Sequence, residues 1–252
     1  MKPRGAATRR TKLSARVTVG RFWIVIVAIA VIAIAGGAFA EFWPGFYPAR
    51  IVVTGNVRVD RSTIVHAAAI ARHRSIWLQN IRKMAARVAA VPLIDRATVK
   101  RYPPGTIAIR VTERVPFAIV RRGEESATVD DTLRVLQDAP DVSALPVFVL
   151  QGSAAFVPGA FLQSNDAIAL RTVYTVLAGA GLTAAALQFD RYGQVEATTT
   201  GGIRLLLGEP ANLDDKVRLC AAIVAQIVAH GRNAKTVDVR APSTPVVTYA
   251  TR

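Results

Sequence analysis

Cysteine is nearly missing from this chain of 252 residues: Cys220 stands alone, and a single thiol cannot close an intrachain disulfide. The folded parts must hold together by their cores, and an apolar content of 52% is enough for one large or two small domains. Histidine is scarce too: His66 and His73, seven apart, could share a face if one helix ran through both, but no third His, Cys or carboxylate cluster lies near them to complete a zinc site, and His230 falls at a helix C-terminus. Catalytic signatures are absent: the sequence contains no Ser-x-x-Lys, Gly-x-Ser-x-Gly, His-Glu-x-x-His or phosphate-binding P-loop. Acidic residues are few, 17 against 32 Lys and Arg, and none occurs in residues 1–21, which hold seven of the basic ones. Charge of either sign is missing altogether from residues 22–40.

That uncharged run reaches roughly 28 Å as a helix, close to the thickness of a bilayer's hydrocarbon core. Lys2, Arg4, Arg9, Arg10, Lys12, Arg16 and Arg21 precede it and Glu41 follows it, so the N-terminus is expected on the cytoplasmic side and the remainder outside. Phe22 and Trp23 at one end, with Phe42, Trp43, Phe46 and Tyr47 at the other, place amphipathic rings at headgroup level. Ala38-Phe39-Ala40 has the small-x-small form of a signal-peptidase site. The apolar core exceeds the roughly 7–15 residues of a signal peptide, however, which favours an uncleaved anchor. Residues 1–21 lack apolar periodicity and read as a disordered tail suited to anionic headgroups. Nucleic acid is the weaker reading of the +15 net charge, because no aromatic-interleaved basic stripe or zinc-finger spacing follows.

Beyond a stiff connector over residues 41–49, Arg50 to Thr54 reads as a strand ended by Gly55-Asn56. Asp60 or Ser62 can cap a helix to about Ala71 with Ile64, Ala67 and Ala68 inward, and Asn80 a second one stopped by Pro92. Ala97 to Lys100 is a short strand, and Thr106 to Thr112 alternates Ile107, Ile109 and Val111 on one face. The order is β-α-α-β-β. Farther on, a helix is expected from about Asn165 to Leu177, then a hairpin of 194–199 and 203–207 around Gly201-Gly202. A helix from Asn212, with Asp215 completing a capping box, runs to Ala229 with Leu213, Val217, Cys220, Ile223, Val224, Ile227 and Val228 on one side. Val237-Asp238-Val239-Arg240 makes a closing strand, and Val246 to Tyr249 a last one beyond Pro242 and Pro245.

Val99, Arg101 and Pro104, or Pro103 if the turn shifts by one, fit a V-x-R-x-x-P pattern, and Glu113, Arg114, Pro116 and Ala118 fit E-R-x-P-x-A. With the β-α-α-β-β order, these motifs resemble the membrane-proximal POTRA domain of the FtsQ/DivIB family of bacterial division proteins. Gly202, Leu205, Leu207-Gly208, Leu213 and Lys216, followed by Val237 to Arg240, resemble that family's β domain. Thr132 departs from a glycine common after the Asp and suggests a different turn, and the end at Arg252 leaves almost no tail.

The chain is thus expected to be an α+β protein: tail 1–21, transmembrane helix 22–40, connector 41–49, POTRA domain 50–119 and a mixed β-sheet domain with packed helices over 120–252. The resemblance implies a single-pass scaffold of the division machinery in the cell membrane at the septum. It would have no cofactor and would bind small bitopic coiled-coil partners of the FtsB and FtsL kind. It also implies that a partner's strand adds to the terminal sheet edge, with Arg240, Val246, Val247 and Tyr249 as contacts. A second surface for other division proteins would lie at Arg96, Val99 and Arg101 on the POTRA strand. The competing classes are a membrane-anchored cell-wall enzyme, which lacks a nucleophile motif, and a POTRA module of a transport system, which usually carries several such units. Cys220 falls on an apolar helix face and reads as a small core residue rather than a nucleophile. Asp130-Asp131 and Asp214-Asp215 fall at a turn and a helix N-terminus, where negative charge is expected.

Overall fold

The computed structural model describes residues 14–136, 144–152 and 155–249. Most of the expected basic tail and the end at Arg252 lie outside the described residues. Helix α1 (Ser14–Phe42) contains the stretch Phe22–Phe39, the one helix among the described residues long and apolar enough to cross a membrane. Its side chains are exposed along that whole stretch. The connector is built into the fold beyond it. A 3-10 turn (Pro44–Phe46) leads to Ala49 and Arg50, whose N–H groups both donate to Gly105 O at 2.9 and 3.2 Å. Gly105 is required there, since a Cβ would sit 2.3 Å from Tyr47 O.

The β-α-α-β-β order follows: β1 (Arg50–Thr54), α2 (Arg61–Ala68), α3 (Ile81–Ala89), β2 (Ile94–Tyr102) and β3 (Thr106–Glu113). Strand order is β1-β3-β2, with β1 parallel to β3 and Ile51 opposite Ile107. Ile64, Met84, Val88, Ile94, Val99, Ile107, Ile109 and Val111 are buried, as helical and alternating patterns require, and Ile76 joins them from the segment between α2 and α3. Asn80 caps α3, its Oδ1 accepting the Lys83 N–H at 3.0 Å.

Two elements differ from the expected ones. Helix α2 stops at Ala68 rather than Ala71, because Ala69 is left-handed at φ 48° and both backbone groups of Ala71 are hydrogen-bonded by the Gln79 amide. Strand β2 is longer than Ala97 to Lys100, and the adjacent exposed pair Asp95-Arg96 hides its start by breaking the alternation.

The rest of the chain forms one nine-stranded sheet: β4 (Ala118–Arg122), β5 (Glu125–Val129), β6 (Val135–Leu136), β7 (Val147–Val149), β8 (Ala184–Phe189), β9 (Val195–Thr199), β10 (Arg204–Gly208), β11 (Ala234–Asp238) and β12 (Val246–Tyr249). Its order is β12-β11-β10-β9-β8-β7-β4-β5-β6. Strand β4 opens this sheet at Ala118, so residues 118 and 119, expected to end the POTRA domain, belong here. Helices α4 (Asn165–Gly179) and α5 (Leu213–Ala229) pack against it and against each other. Phe148, Leu170, Leu177, Leu187, Leu205, Leu207 and Cys220 are fully buried, each large side chain stabilising the fold by about 1.5–3 kcal/mol relative to exposure. Phe117, Phe148 and Tyr174 meet at centroid distances of 5.4 to 6.2 Å.

Helix α5 starts otherwise than expected. Asn212 is left-handed at φ 53° and makes no side-chain cap, and Val228 faces solvent. The start is pinned instead by buried Lys216, whose Nζ donates to Glu209 O at 2.8 Å.

By packing, the chain divides into two compact units, and the division cuts across the small sheet. The first comprises Met1–Thr54, Arg61–Ala85 and Thr98–Arg110; the second comprises Gly55–Asp60, Ala86–Ala97 and Val111–Arg252.

Candidate partner-binding surfaces

Strand β12 is the outermost strand at one end of the large sheet. It runs antiparallel to β11, with Val247 opposite Val237 and Val246 opposite Asp238. Pro242 and Pro245 precede it and have no N–H to extend the ladder. Val247 packs against the core and, with Tyr249, lines a groove of about 250 Å³ whose other wall is Ile223, Gln226 and His230 of the α5 end. The Arg232 guanidinium lies 5.7 Å over the Tyr249 ring. Val246 projects away from the core and is 58% exposed. The groove-lining residues at 223, 226 and 230 follow helical spacing. The sequence signal was therefore present, but it had no meaning until β12 was known to lie beside α5.

Arg240 is held by its own neighbour. Its Nη2 donates to Asp238 Oδ2 at 2.6 Å and its Nε to the same carboxylate at 3.0 Å. The Arg240 hydrogen bond keeps the Asp238 carboxyl below its ordinary range against the opposing effect of burial.

The other end of this sheet is closed. Val135 N–H donates to Ala160 O at 2.9 Å, Gly159 N–H to Val135 O at 2.8 Å and Leu162 N–H to Leu133 O at 2.8 Å, so residues 159–162 cover β6. Asp130, buried at 2% exposure, organises the preceding turn. Its Oδ1 accepts from Thr132 Oγ1 at 2.6 Å and from the N–H groups of Thr132 and Arg134 at 2.9 Å, while Oδ2 accepts from Arg114 Nη1 at 2.6 Å. Burial pushes the Asp130 pKa up, but the bonds from Thr132, Arg134 and Arg114 outweigh it and hold the carboxyl low. Thr132, where the sequence departs from a glycine, is thus a donor in a turn whose left-handed residue is Leu133 at φ 62°.

The Glu113-Arg114 pair of the E-R-x-P-x-A motif is structural. Glu113 accepts the N–H groups of Val57, Arg58 and Val59 at 2.7 to 3.0 Å. Burial raises its pKa and these three bonds overcome that effect, leaving it lowered. Arg114 also donates to Ile94 O at 3.2 Å and pairs with Asp95 at 3.4 Å.

On the small sheet, the three expected surface residues separate. Arg96 is exposed, Val99 is buried in the core at 5% exposure, and Arg101 is half-buried with its Nη2 donating to Gln79 O. Besides Asp95 and Arg96, the exposed side chains of β2 are Thr98, Lys100 and Tyr102.

No group of three His, Cys, Asp or Glu side chains suited to a metal occurs among the described residues. Helix α2 ends before His73, so His66 and His73 share no helix face. Burial and the nearby Asp238 push the Cys220 thiol up to about 12, where it carries no thiolate at neutral pH.

A POTRA-type β-α-α-β-β fold is followed by a mixed sheet whose β12 edge has no covering segment among the described residues, an architecture that can offer a strand edge to another chain. Two family models match in succession: the FtsQ-type POTRA domain over residues 46–114 and the C-terminal region of cell division protein FtsQ/DivIB over residues 118–240. The chain belongs to the FtsQ/DivIB family. It is 24% identical over 225 residues to cell division protein FtsQ of Mycobacterium tuberculosis, covering 89% of this chain and 68% of that protein. FtsQ of Corynebacterium glutamicum is 24% identical over 125 residues, 49% of this chain and 54% of the relative, so that match spans about half of the relative's length. FtsQ of Syntrophotalea carbinolica is 32% identical over 121 residues, 45% of this chain and 42% of the other.

Proposed function

We propose that this protein is a bitopic scaffold of the division machinery, with its N-terminus cytoplasmic and its two sheets outside. By this reading it joins small coiled-coil partners of the FtsB and FtsL kind at the septum and so helps recruit and regulate septal peptidoglycan synthesis. It works by binding, not by catalysis. The observation that carries the reading is β12, an edge strand with no covering segment among the described residues, beside a groove of mixed apolar and polar lining along α5. A partner strand added there draws affinity from main-chain hydrogen bonds, and a helix preceding it can use the groove. A shared bilayer raises the effective concentration of anchored partners, so modest contacts add up. On the small sheet, Arg96 and the outward side chains of β2 form a second docking surface, with Val99 and Arg101 supporting it from behind.

The test is co-purification from membranes of the full chain and of a form ending at Arg240. Loss of the coiled-coil partners from the truncated form, with its circular dichroism intact, is the expected result. Retention of those partners would refute strand addition at β12.

A further inference from the structure

Trp77 and Leu78 are large apolar side chains left 45% and 38% exposed in the segment that joins α2 to α3. That segment has no regular structure, yet it is firmly held. Buried Gln79 accepts the Ala71 N–H at 3.1 Å and donates to the carbonyls of Ala71 and Arg74 at 2.9 Å. Ser75 and Ile76 are buried beneath, and the Ile76 N–H donates to Phe46 O at 2.8 Å. This scaffold holds Arg72, Arg74, Trp77 and Leu78 outward.

The outward patch is continuous with the end of the apolar helix. Trp77 meets Phe46 edge to face at 6.4 Å, Phe46 meets Trp43 at 4.6 Å, and Trp43 stacks at 5.5 Å on Phe39, one residue before the end of the uncharged run. Four residues of rise carry Trp43 about 6 Å beyond Phe39, within the roughly 5–8 Å of headgroups on each side of the hydrocarbon core, and the ring contacts extend the patch from there to Trp77. Charge points the same way. Residues 61–94 carry six Lys and Arg and no acid; residues 43–114 carry 13 against 3, whereas residues 115–252 are nearly balanced at 12 against 13.

We propose that residues 69–80 are a membrane-docking loop. Trp77 and Leu78 enter the headgroup layer of the bilayer that α1 spans, and Arg72 and Arg74 bind anionic phospholipid headgroups. Tryptophan favours that layer because its ring is apolar and its N–H needs a polar partner. A protein partner is the poorer fit, because the patch adjoins the apolar stretch itself. The inference requires only that α1 spans a bilayer, whichever side the small sheet occupies.

Full-length protein reconstituted in phosphatidylcholine vesicles, with and without phosphatidylglycerol, tests it through bromolipid and acrylamide quenching of two single-tryptophan forms. Trp23→Phe with Trp43→Phe leaves Trp77; Trp43→Phe with Trp77→Phe leaves Trp23 as the monitor of α1. The expected result is bromolipid quenching of both, with Trp77 quenched more strongly in the anionic vesicles. Arg72→Gln with Arg74→Gln should lower the docked-to-free ratio of Trp77 about 25-fold, from about five-fold per basic residue near an anionic surface, and restore acrylamide quenching. Quenching of Trp23 but not Trp77 overturns the docking loop alone. Trp77 shielded from both quenchers puts protein on the patch and also overturns it, as does indifference to lipid charge and to the arginine changes. An unquenched Trp23 overturns the anchor, and the loop with it.

Discussion

At one end of the nine-stranded sheet, the two-residue strand β6 is covered by residues 159–162 and tied down by a buried carboxylate. At the other end, the four-residue strand β12 has no covering segment among the described residues, and Val246 and Tyr249 are exposed on it. An unpaired edge is an aggregation hazard that proteins ordinarily blunt. The same sheet therefore demonstrates both treatments. Even β1 of the small sheet is partly blunted, because Arg61 Nη2 donates to Ile51 O at 2.6 Å. The edge left bare has a groove of mixed polarity beside it, a combination a strand-adding partner can use.

The largest effect that could break this contrast is removal of β12. Binding of coiled-coil partners in a pull-down should fall by about a hundredfold or more, or about 2.7 kcal/mol, while the melting temperature moves little, since only Val247 of the strand packs on the core. At the closed end the sign reverses. Asp130→Ala strands the nearly buried Arg114 and should cost about 3–5 kcal/mol in chemical denaturation, with partner affinity of the folded fraction unchanged. Acid offers a milder way to loosen the same end. Asp130 and Glu113 both have carboxyl pKa values lowered by folding. Their stabilisation is thus fully present above about pH 5 and is lost as pH falls through the lowered folded values. Melting followed from pH 7 to pH 3 should show that decline, and Asp130→Asn should flatten it. The smallest effect is expected at Val246, which touches solvent rather than core. Val246→Ala should weaken partner binding by about 1 kcal/mol, roughly five-fold, without changing stability.

What the sequence disclosed tracks the strength of the local signal. Strand β1, helices α3 and α4, the β9–β10 hairpin and strand β12 were legible because capping residues, turn glycines or regular apolar spacing mark them. The strands in the middle of the large sheet were not. Ala184–Phe189 is rich in alanine and Val147–Val149 is only three residues long, so neither carries an alternating β-branched pattern and only pairing on both sides makes them strands. The β12 residues were legible as a last strand, whereas the helical spacing of 223, 226 and 230 could not be tied to them, because adjacency between distant elements leaves no mark in local spacing. Asp130 looked like an ordinary turn acid. Its burial depends on Arg114, sixteen residues earlier in the chain.

The latch of Ala49 and Arg50 on Gly105 has a mechanical consequence. With Ile76 also bonded to Phe46, the peptide leaving α1 has no free swivel before the small sheet begins. A spanning helix with an uncharged run of 19 residues meets thin and thick bilayers at different tilts. Through this joint a change in the tilt of a membrane-spanning α1 would be carried into β1, so the thickness of the membrane would be expressed as an angle of that strand. Spin-label distances between α1 and β3 that stay constant as lipid chain length varies would be the signature of that lever.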